Sequence, residues 1–196
     1  YGLNNGLHGR FVRCVVRDRE GNLLIGTSDS GLDIFKGDRF VSYDEADGLI
    51  DPKVFAVMED RNGRTWFGTN AGISILSNNA PPEFITVQKG QLTTNFIRSL
   101  KEDEKGYVWV GTENGGLLRY DPRAGGKAVD AVEVSGSLAD LKVTALELGQ
   151  PGEIWVGGLN GLRRYLPGSG TVPTVYTEEE GLAGNNVTSI YRDHNG

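Results

Sequence analysis

Cysteine occurs once in the 196 residues, as Cys14, methionine occurs once and histidine twice. A single thiol excludes an internal disulfide and any metal site built from several thiolates, and it leaves the redox compartment open. The two histidines, His8 and His194, stand at opposite ends of the chain, which gives a metal cage or a histidine-based triad little to build on. An excess of basic charge is also lacking. The formal net charge is -6 with a pI near 5.0, so nucleic acid and anionic membrane surfaces are poor partners on electrostatic grounds. Apolar runs such as Val54 to Met58 are too short to span a bilayer, and no secretory leader pattern is visible. No stretch combines a helical period with caps, and no Gly-x-Ser-x-Gly, phosphate loop or dinucleotide fingerprint occurs. The segment starting DRNG at Asp60 has the opening of a calcium loop, but Ala71 stands where the bidentate glutamate is required, and turn chemistry accounts for it.

What the chain has instead is glycine, 29 of them, in a repeating order. The segments VVRDREGNLLIGT, VMEDRNGRTWFGT, LKEDEKGYVWVGT and LELGQPGEIWVGG align without a gap and place Gly21, Gly63, Gly106 and Gly152 at spacings of 42, 43 and 46. A fifth copy starts as IYRDHNG. A second marker, a tyrosine followed five residues later by Gly-Leu, recurs in a different part of the period at Tyr1, Tyr43 and Tyr176. Periodicity of this length predicts a repeat architecture.

Each repeat reads as four short strands separated by glycine turns. The first strand covers Val12–Arg17, Val54–Glu59, Ile97–Glu102 and Val143–Leu148 and begins again at Val187. Its third residue is always small (Cys14, Ala56, Ser99, Ala145, Ser189), as expected for an inner strand in a crowded array, and this gives Cys14 a packing role. An Asp-x-x-Gly turn follows, in which the carboxylate accepts from backbone amides and glycine takes positive φ. The second strand carries Leu24, Trp66, Trp109 and Trp155 at one position. Apolar side chains on both of its faces require cover on both sides, which neighbouring sheets packed face to face provide. A Gly-Thr-x-x-Gly turn leads to the third strand, and a variable fourth strand such as 40–43 closes the unit. The fourth repeat departs by replacing the acidic turn with Gly149-Gln150-Pro151-Gly152 and the threonine with Gly158.

The expected fold is therefore an all-β propeller of four-stranded antiparallel blades, four full blades plus one extra inner strand. The boundaries run 1–7 for the end of a preceding outer strand, then 8–49, 50–92, 93–138 and 139–182 for the blades, and 183–196 for the inner strand of a fifth. All belong to one propeller-type domain. Unpaired strands at the two ends need a partner, either the rest of the parent propeller or another copy of the chain.

The copies VFAVMEDRNGRTWFGTNAGISIL and IRSLKEDEKGYVWVGTENGGLLRY resemble the two-component regulator propeller family over nearly the whole chain. That resemblance implies a sensor on the periplasmic or extracellular side of a bacterial membrane, responding to glycan-like ligands, without chemistry of its own and without a cofactor. Strand alternation puts the linkers after Gly-Leu and the Gly-Thr-x-x-Gly turns at one end of the sheets and the Asp-x-x-Gly turns at the other. The variable end gathers His8, Arg10, Asp29, Lys53, Asn70, Asn95, Glu113, Asn114, Asn160 and Asn185 as candidate contacts for an oligosaccharide or other small polar ligand. Arg13 and Arg98 occupy one repeat position in the inner strands and are candidates for gripping an anionic group. Two rivals stand beside the sensor: a propeller lyase like the streptogramin-inactivating enzymes, which would use His8, and a purely architectural assembly fragment that binds no small molecule.

Overall fold

The computed structural model describes residues 2–77, 80–89, 91–123, 129–131 and 141–193. The DHNG turn of the fifth copy from His194 onward lies outside the described residues, as does most of the insertion between Arg123 and Leu141. The chain separates into two compact units, residues 1–97 and 98–196.

In the first unit, β1 (Val12–Arg17), β2 (Leu23–Thr27), β3 (Leu32–Lys36) and β4 (Arg39–Tyr43) form one antiparallel sheet in chain order. Strands β5 (Val54–Glu59), β6 (Thr65–Thr69), β7 (Ile73–Leu76) and β8 (Glu83–Ile85) form a second. The second unit repeats the arrangement with β9 (Ile97–Glu102), β10 (Val108–Thr112), β11 (Leu117–Tyr120) and β12 (Val129–Ala131), then with β13 (Val143–Leu148), β14 (Ile154–Gly158), β15 (Gly161–Tyr165) and β16 (Thr174–Tyr176). Each sheet is thus one sequence repeat, paired antiparallel strand by strand.

Two turns explain the repeating residues. Asp60 Oδ1 accepts from the amides of Asn62 and Arg64, both at 2.9 Å, while Oδ2 accepts from the indole Nε1 of Trp66 at 2.9 Å. Asp103 does the same with Lys105, Tyr107 and Trp109. In the fourth repeat, which lacks the aspartate, the buried Glu153 reaches back from the far side of the turn. It accepts from the Gln150 amide at 2.8 Å and from the Arg164 guanidinium. At the other end, the threonine hydroxyl closes the Gly-Thr turn of the first three repeats by bonding a glycine three or four residues on. Thr69 Oγ1 donates to the Gly72 carbonyl at 2.8 Å and accepts from the Ala71 amide at 3.0 Å, and Thr27 and Thr112 make the equivalent bonds. The tyrosine-to-Gly-Leu marker becomes a single 3-10 turn. Residues Glu45–Asp47 are capped by Asp44 and ended by Gly48 at φ 106°, and Glu178–Glu180 are capped by Thr177 in the same way.

The small third residue of the inner strand has a more specific purpose than general crowding. Cys14, Ala56 and Ala145 lie directly across from Gly26, Gly68 and Gly157. The paired small residues leave a recess, and the first residue of the next repeat's inner strand fills it. A Cβ placed on Gly26 would lie 2.9 Å from Val54 Cγ1, and one on Gly111 would lie 2.5 Å from Val143 Cγ1. Val187 meets Gly157 likewise, and its amide donates to the Gly158 carbonyl at 2.9 Å. Residues 187–193 adopt no strand pairing; among the described residues they have no second strand of their own to pair with. Around these recesses each unit has its own apolar core, Leu24, Leu32, Leu49, Val54, Val57 and Phe67 in the first and Trp109, Leu117, Val143, Leu146, Ile154 and Val156 among others in the second.

Burial also settles the chemistry of Cys14. Its thiol is pushed up to about 11 by desolvation, which outweighs the hydrogen bonds from Gly26 and Val57 that act in the other direction. A thiol with that pKa is not a nucleophile near neutrality.

Candidate functional site

The inner strands are irregular where the sequence places Arg13. The register of β1, β5 and β13 shifts between Val12 and Cys14, between Val54 and Ala56 and between Val143 and Ala145, so Arg13, Phe55 and Thr144 are β-bulge residues. A bulge redirects its side chain out of the simple alternation. Arg13 places its guanidinium 5.7 Å from the Phe55 ring centroid, and Thr144 donates to the Val187 carbonyl. Arg98, at the same repeat position in β9, is spent on an internal ion pair. Its Nε lies 2.6 Å from Glu113 Oε2, and Lys142 Nζ lies 2.5 Å from the other carboxylate oxygen. Burial pushes the Glu113 carboxyl up, but hydrogen bonds from Lys142 and Arg98 and their charges prevail and hold it below its ordinary value. The anion that Arg98 grips is thus Glu113 of its own chain.

In the first unit the loop end is organised by two carboxylates. Asp33 accepts from the His8 amide at 3.0 Å and the Gly9 amide at 3.3 Å, and its second oxygen lies 3.3 Å from His8 Nδ1. Ser42 Oγ lies 2.5 Å from both that oxygen and His8 Nδ1. The carboxylate is 1% exposed and the imidazole 62% exposed, so a buried anchor holds an accessible ring and leaves Nε2 as the ring's remaining polar atom. Beside it, Asp29 accepts from the Arg10 amide with both oxygens at 3.1 Å. The Ser28 amide donates to the Phe11 carbonyl and the Gly31 amide to the Pro52 carbonyl, which joins the linkers to the Gly-Thr-x-x-Gly turns at this end as alternation requires.

The remaining candidates serve the loops that carry them. Asn95 Oδ1 accepts from the Val87 amide at 2.8 Å, and Asn185 Oδ1 accepts from the Glu178 amide at 2.9 Å. Both stand two residues before an inner strand or its counterpart, so the shared offset reflects one latch used twice. The Lys53 amide donates to Asp51, and the Asn160 carbonyl accepts from Arg163. Asn70 and Asn114 sit in the Gly-Thr-x-x-Gly turns. Of the twelve candidates, the structure brings together Arg10 with Asp29 and Arg98 with Glu113. Sequence reasoning missed Asp33, Ser42 and Lys142. Asp33 had a signal, an acid in a third strand whose repeat equivalents are Ser74, Leu118 and Arg163.

The two component regulator propeller family matches residues 6–29, 48–71 and 91–114. Three of its repeats are thus two component regulator propeller repeats. Each matched segment runs from the linker through the inner strand, the Asp-x-x-Gly turn and the second strand to the threonine, which are the parts whose bonds are described above. The fourth repeat, which uses Glu153 and Gly158 instead, is not among the matched residues. A comparison with curated protein sequences gave no match. Among solved structures, the chain is similar to the extracellular domain of a hybrid two component system of B. thetaiotaomicron, with 24% identity and a TM-score of 0.78 over 97% of this chain and 26% of that one. It is similar to the extracellular domain of a one component system of the same organism, with 22% identity and a TM-score of 0.77 over 94% and 25%. It is also similar to virginiamycin B lyase of Staphylococcus aureus, with 14% identity and a TM-score of 0.59 over 85% and 55%. These likenesses establish the β-propeller fold, so the four sheets are blades. The chain spans about a quarter of the length of the extracellular domains it matches.

Proposed function

We propose that the chain is a segment of a non-catalytic sensor propeller on the periplasmic or extracellular side of a bacterial membrane, and that it recognises a glycan-like ligand at the loop end where His8 and Arg10 stand. The observation that carries this reading is an exposed imidazole fixed from beneath by the buried Asp33, beside a loop backbone that Asp29 pins through the Arg10 amide. Preorganised polar groups on a rigid blade suit recognition, because little ordering cost remains when a hydroxylated ligand arrives. The regulator repeats and the fold shared with two extracellular sensor domains support the same reading.

The site is not arranged for a histidine triad, in which serine and carboxylate engage opposite ring nitrogens; here both approach Nδ1. The partner in this reading is further propeller. On the first sheet Val12 and Val15 are 46% and 55% exposed, whereas their equivalents Val54 and Val57 in the second sheet are 0% and 6% exposed. That open face accepts a further blade as the second sheet accepts the first.

The test is NMR titration of the 196-residue chain with a panel of neutral and acidic oligosaccharides, with product analysis of each mixture. Amide shifts at His8, Arg10 and Asp29 that weaken on His8→Ala, with the sugar recovered intact, are the expected result. Shifts confined to other regions, or no binding across the panel, would overturn the site. Conversion of a ligand that stops on His8→Ala would replace the sensor by a lyase.

A further inference from the structure

The latch beneath the first linker contains more than the fold needs. In the second sheet the repeat equivalents of His8 and Asp33 are Ile50 and Ser74, and the Ser74 hydroxyl is enough to accept the Ile50 amide at 2.9 Å. In the first sheet Asp33 Oδ2 does that task, accepting from the His8 amide at 3.0 Å and the Gly9 amide at 3.3 Å. Its second oxygen is left over for the imidazole. The residue paired with Asp33 across the sheet is Ser42, whereas Ser74 is paired with Phe84, so a hydroxyl stands beside the carboxylate where the second sheet has a ring.

The surplus atoms determine where the ring carries its proton. His8 Nδ1 lies 3.3 Å from Asp33 Oδ1, and Ser42 Oγ lies 2.5 Å from each of them. A carboxylate only accepts, a hydroxyl has a single proton to give, and a neutral imidazole holds its proton on one nitrogen. With the proton on Nδ1 every contact has a donor: Ser42 donates to Asp33 Oδ1, and Nδ1–H is shared between Ser42 Oγ and Asp33 Oδ1. With the proton on Nε2, Nδ1 would turn a lone pair towards the carboxylate, and the one hydroxyl proton could serve only one of them. Asp33 is 1% exposed, so water does not make good the missing bond, and a buried polar atom left unmatched is costly. The first arrangement therefore wins and leaves Nε2 bare on a ring that is 62% exposed and makes both of its bonds through Nδ1.

We infer that Asp33 and Ser42 are positioning residues that fix His8 as the Nδ1–H tautomer, so that Nε2 is an acceptor and the ligand group received there is a hydroxyl of a neutral sugar. A carboxylate or sulfate oxygen of an acidic sugar at that place would set lone pair against lone pair. A site built around one hydrogen-bond direction rejects a group that cannot supply it, because the buried or desolvated partner is then left unpaired. The choice of ligand rests on the sensor reading, whereas the place of the proton does not.

The experiment is a long-range proton–nitrogen correlation of the imidazole in the 196-residue chain at pH 8, assigned by the loss of signal in His8→Ala. Titration with galactobiose and digalacturonate follows, two sugars that differ in carrying a hydroxymethyl group or a carboxylate on each ring. The expected spectrum has Nδ1 protonated and Nε2 bare. Galactobiose should move the Nε2 resonance, and digalacturonate should bind about tenfold more weakly. Asp33→Asn keeps a carbonyl oxygen for the two linker amides and turns an NH2 towards Nδ1, so the proton should move to Nε2 and the preference for the neutral sugar should disappear. Ser42→Ala, which removes only a hydroxyl, should bring both tautomers into view and serves if Asp33→Asn fails to fold. A proton on Nε2 of the parent chain, an unchanged ring in both variants, or digalacturonate bound as tightly as galactobiose would overturn the inference. A ring protonated on Nδ1 in a chain that binds no sugar upholds the fixed tautomer and sinks the sensor reading instead.

Discussion

Gly111 stands so close to Val143 that a single added carbon at its Cβ position would lie 2.5 Å from Cγ1 of the valine and 3.3 Å from the Cβ of Ser99. Neither neighbour can withdraw easily, because Val143 is fully buried and begins β13. Gly111→Ala is therefore expected to destabilise the chain by about 1–3 kcal/mol through overpacking. Gly2→Ala, at an extended residue with nothing within 4 Å, should change stability by less than about 0.5 kcal/mol. Urea denaturation of the two variants, with the double variant Gly111→Ala/Val143→Ala recovering part of the loss, checks the contact.

Asp60 anchors its blade more firmly than a surface turn would suggest. The carboxylate is 1% exposed and faces Arg64 Nε at 2.7 Å as well as the indole of Trp66. Burial pushes its pKa up, yet the hydrogen bonds from the Arg64 amide, Trp66 and the Arg64 guanidinium, together with the charge of Arg64, win and leave it below the ordinary 3.8. Because the folded pKa is the lower one, this contribution is present above pH 3.8 and is lost as the pH falls through the folded value. Asp60→Ala, which leaves the buried donors unpaired, should cost about 3 kcal/mol at pH 7. The difference between the variant and the parent should shrink at the acid end of a denaturation series.

Cys14 gives the opposite sign. Its folded pKa of about 11 exceeds the ordinary 9.0, so the contribution to stability is level below pH 9 and falls as the pH rises towards 11. At pH 8 alkylation by iodoacetamide should be many-fold slower for the folded chain than for the same chain in urea. Equal rates in the two states would show a thiol outside the recess opposite Gly26.

Removing a turn hydroxyl tests the other end of the blade. Thr112 is fully buried and its Oγ1 both donates to the Gly116 carbonyl and accepts from the Gly115 amide. Thr112→Val keeps the shape and deletes both bonds, with an expected loss of about 1–3 kcal/mol. Thermal unfolding with the parent as reference measures it.

Much of this architecture was legible in the residues. Four inner strands begin and end where the alternation placed them, because Val12, Val54, Ile97 and Val143 open segments bounded by turn glycines and fixed by one repeated set of side chains, whereas the fifth, expected from Val187, forms no strand over the described residues 187–193. What periodicity could not reveal depends on contacts between residues far apart in the chain. The bulge at Arg13 redirects a side chain that simple alternation assigns to one face. Glu153 performs the task of an aspartate from the opposite side of its turn. Asp33 reaches His8 across 25 positions, and Lys142 joins Arg98 at a carboxylate, Glu113, that the sequence offered as a ligand contact. Those are pairings between different repeat phases, and a repeat alignment shows equivalence between copies without showing which phases touch.

The most direct test of stacked blades is a nuclear Overhauser measurement between valine methyl groups and glycine α-protons. Cross-peaks from Val54 to Gly26 and from Val143 to Gly111 are the predicted result, since each valine enters the recess of the preceding repeat. Strand-like chemical shifts without either cross-peak would contradict it, because the repeats would then fold without packing on one another.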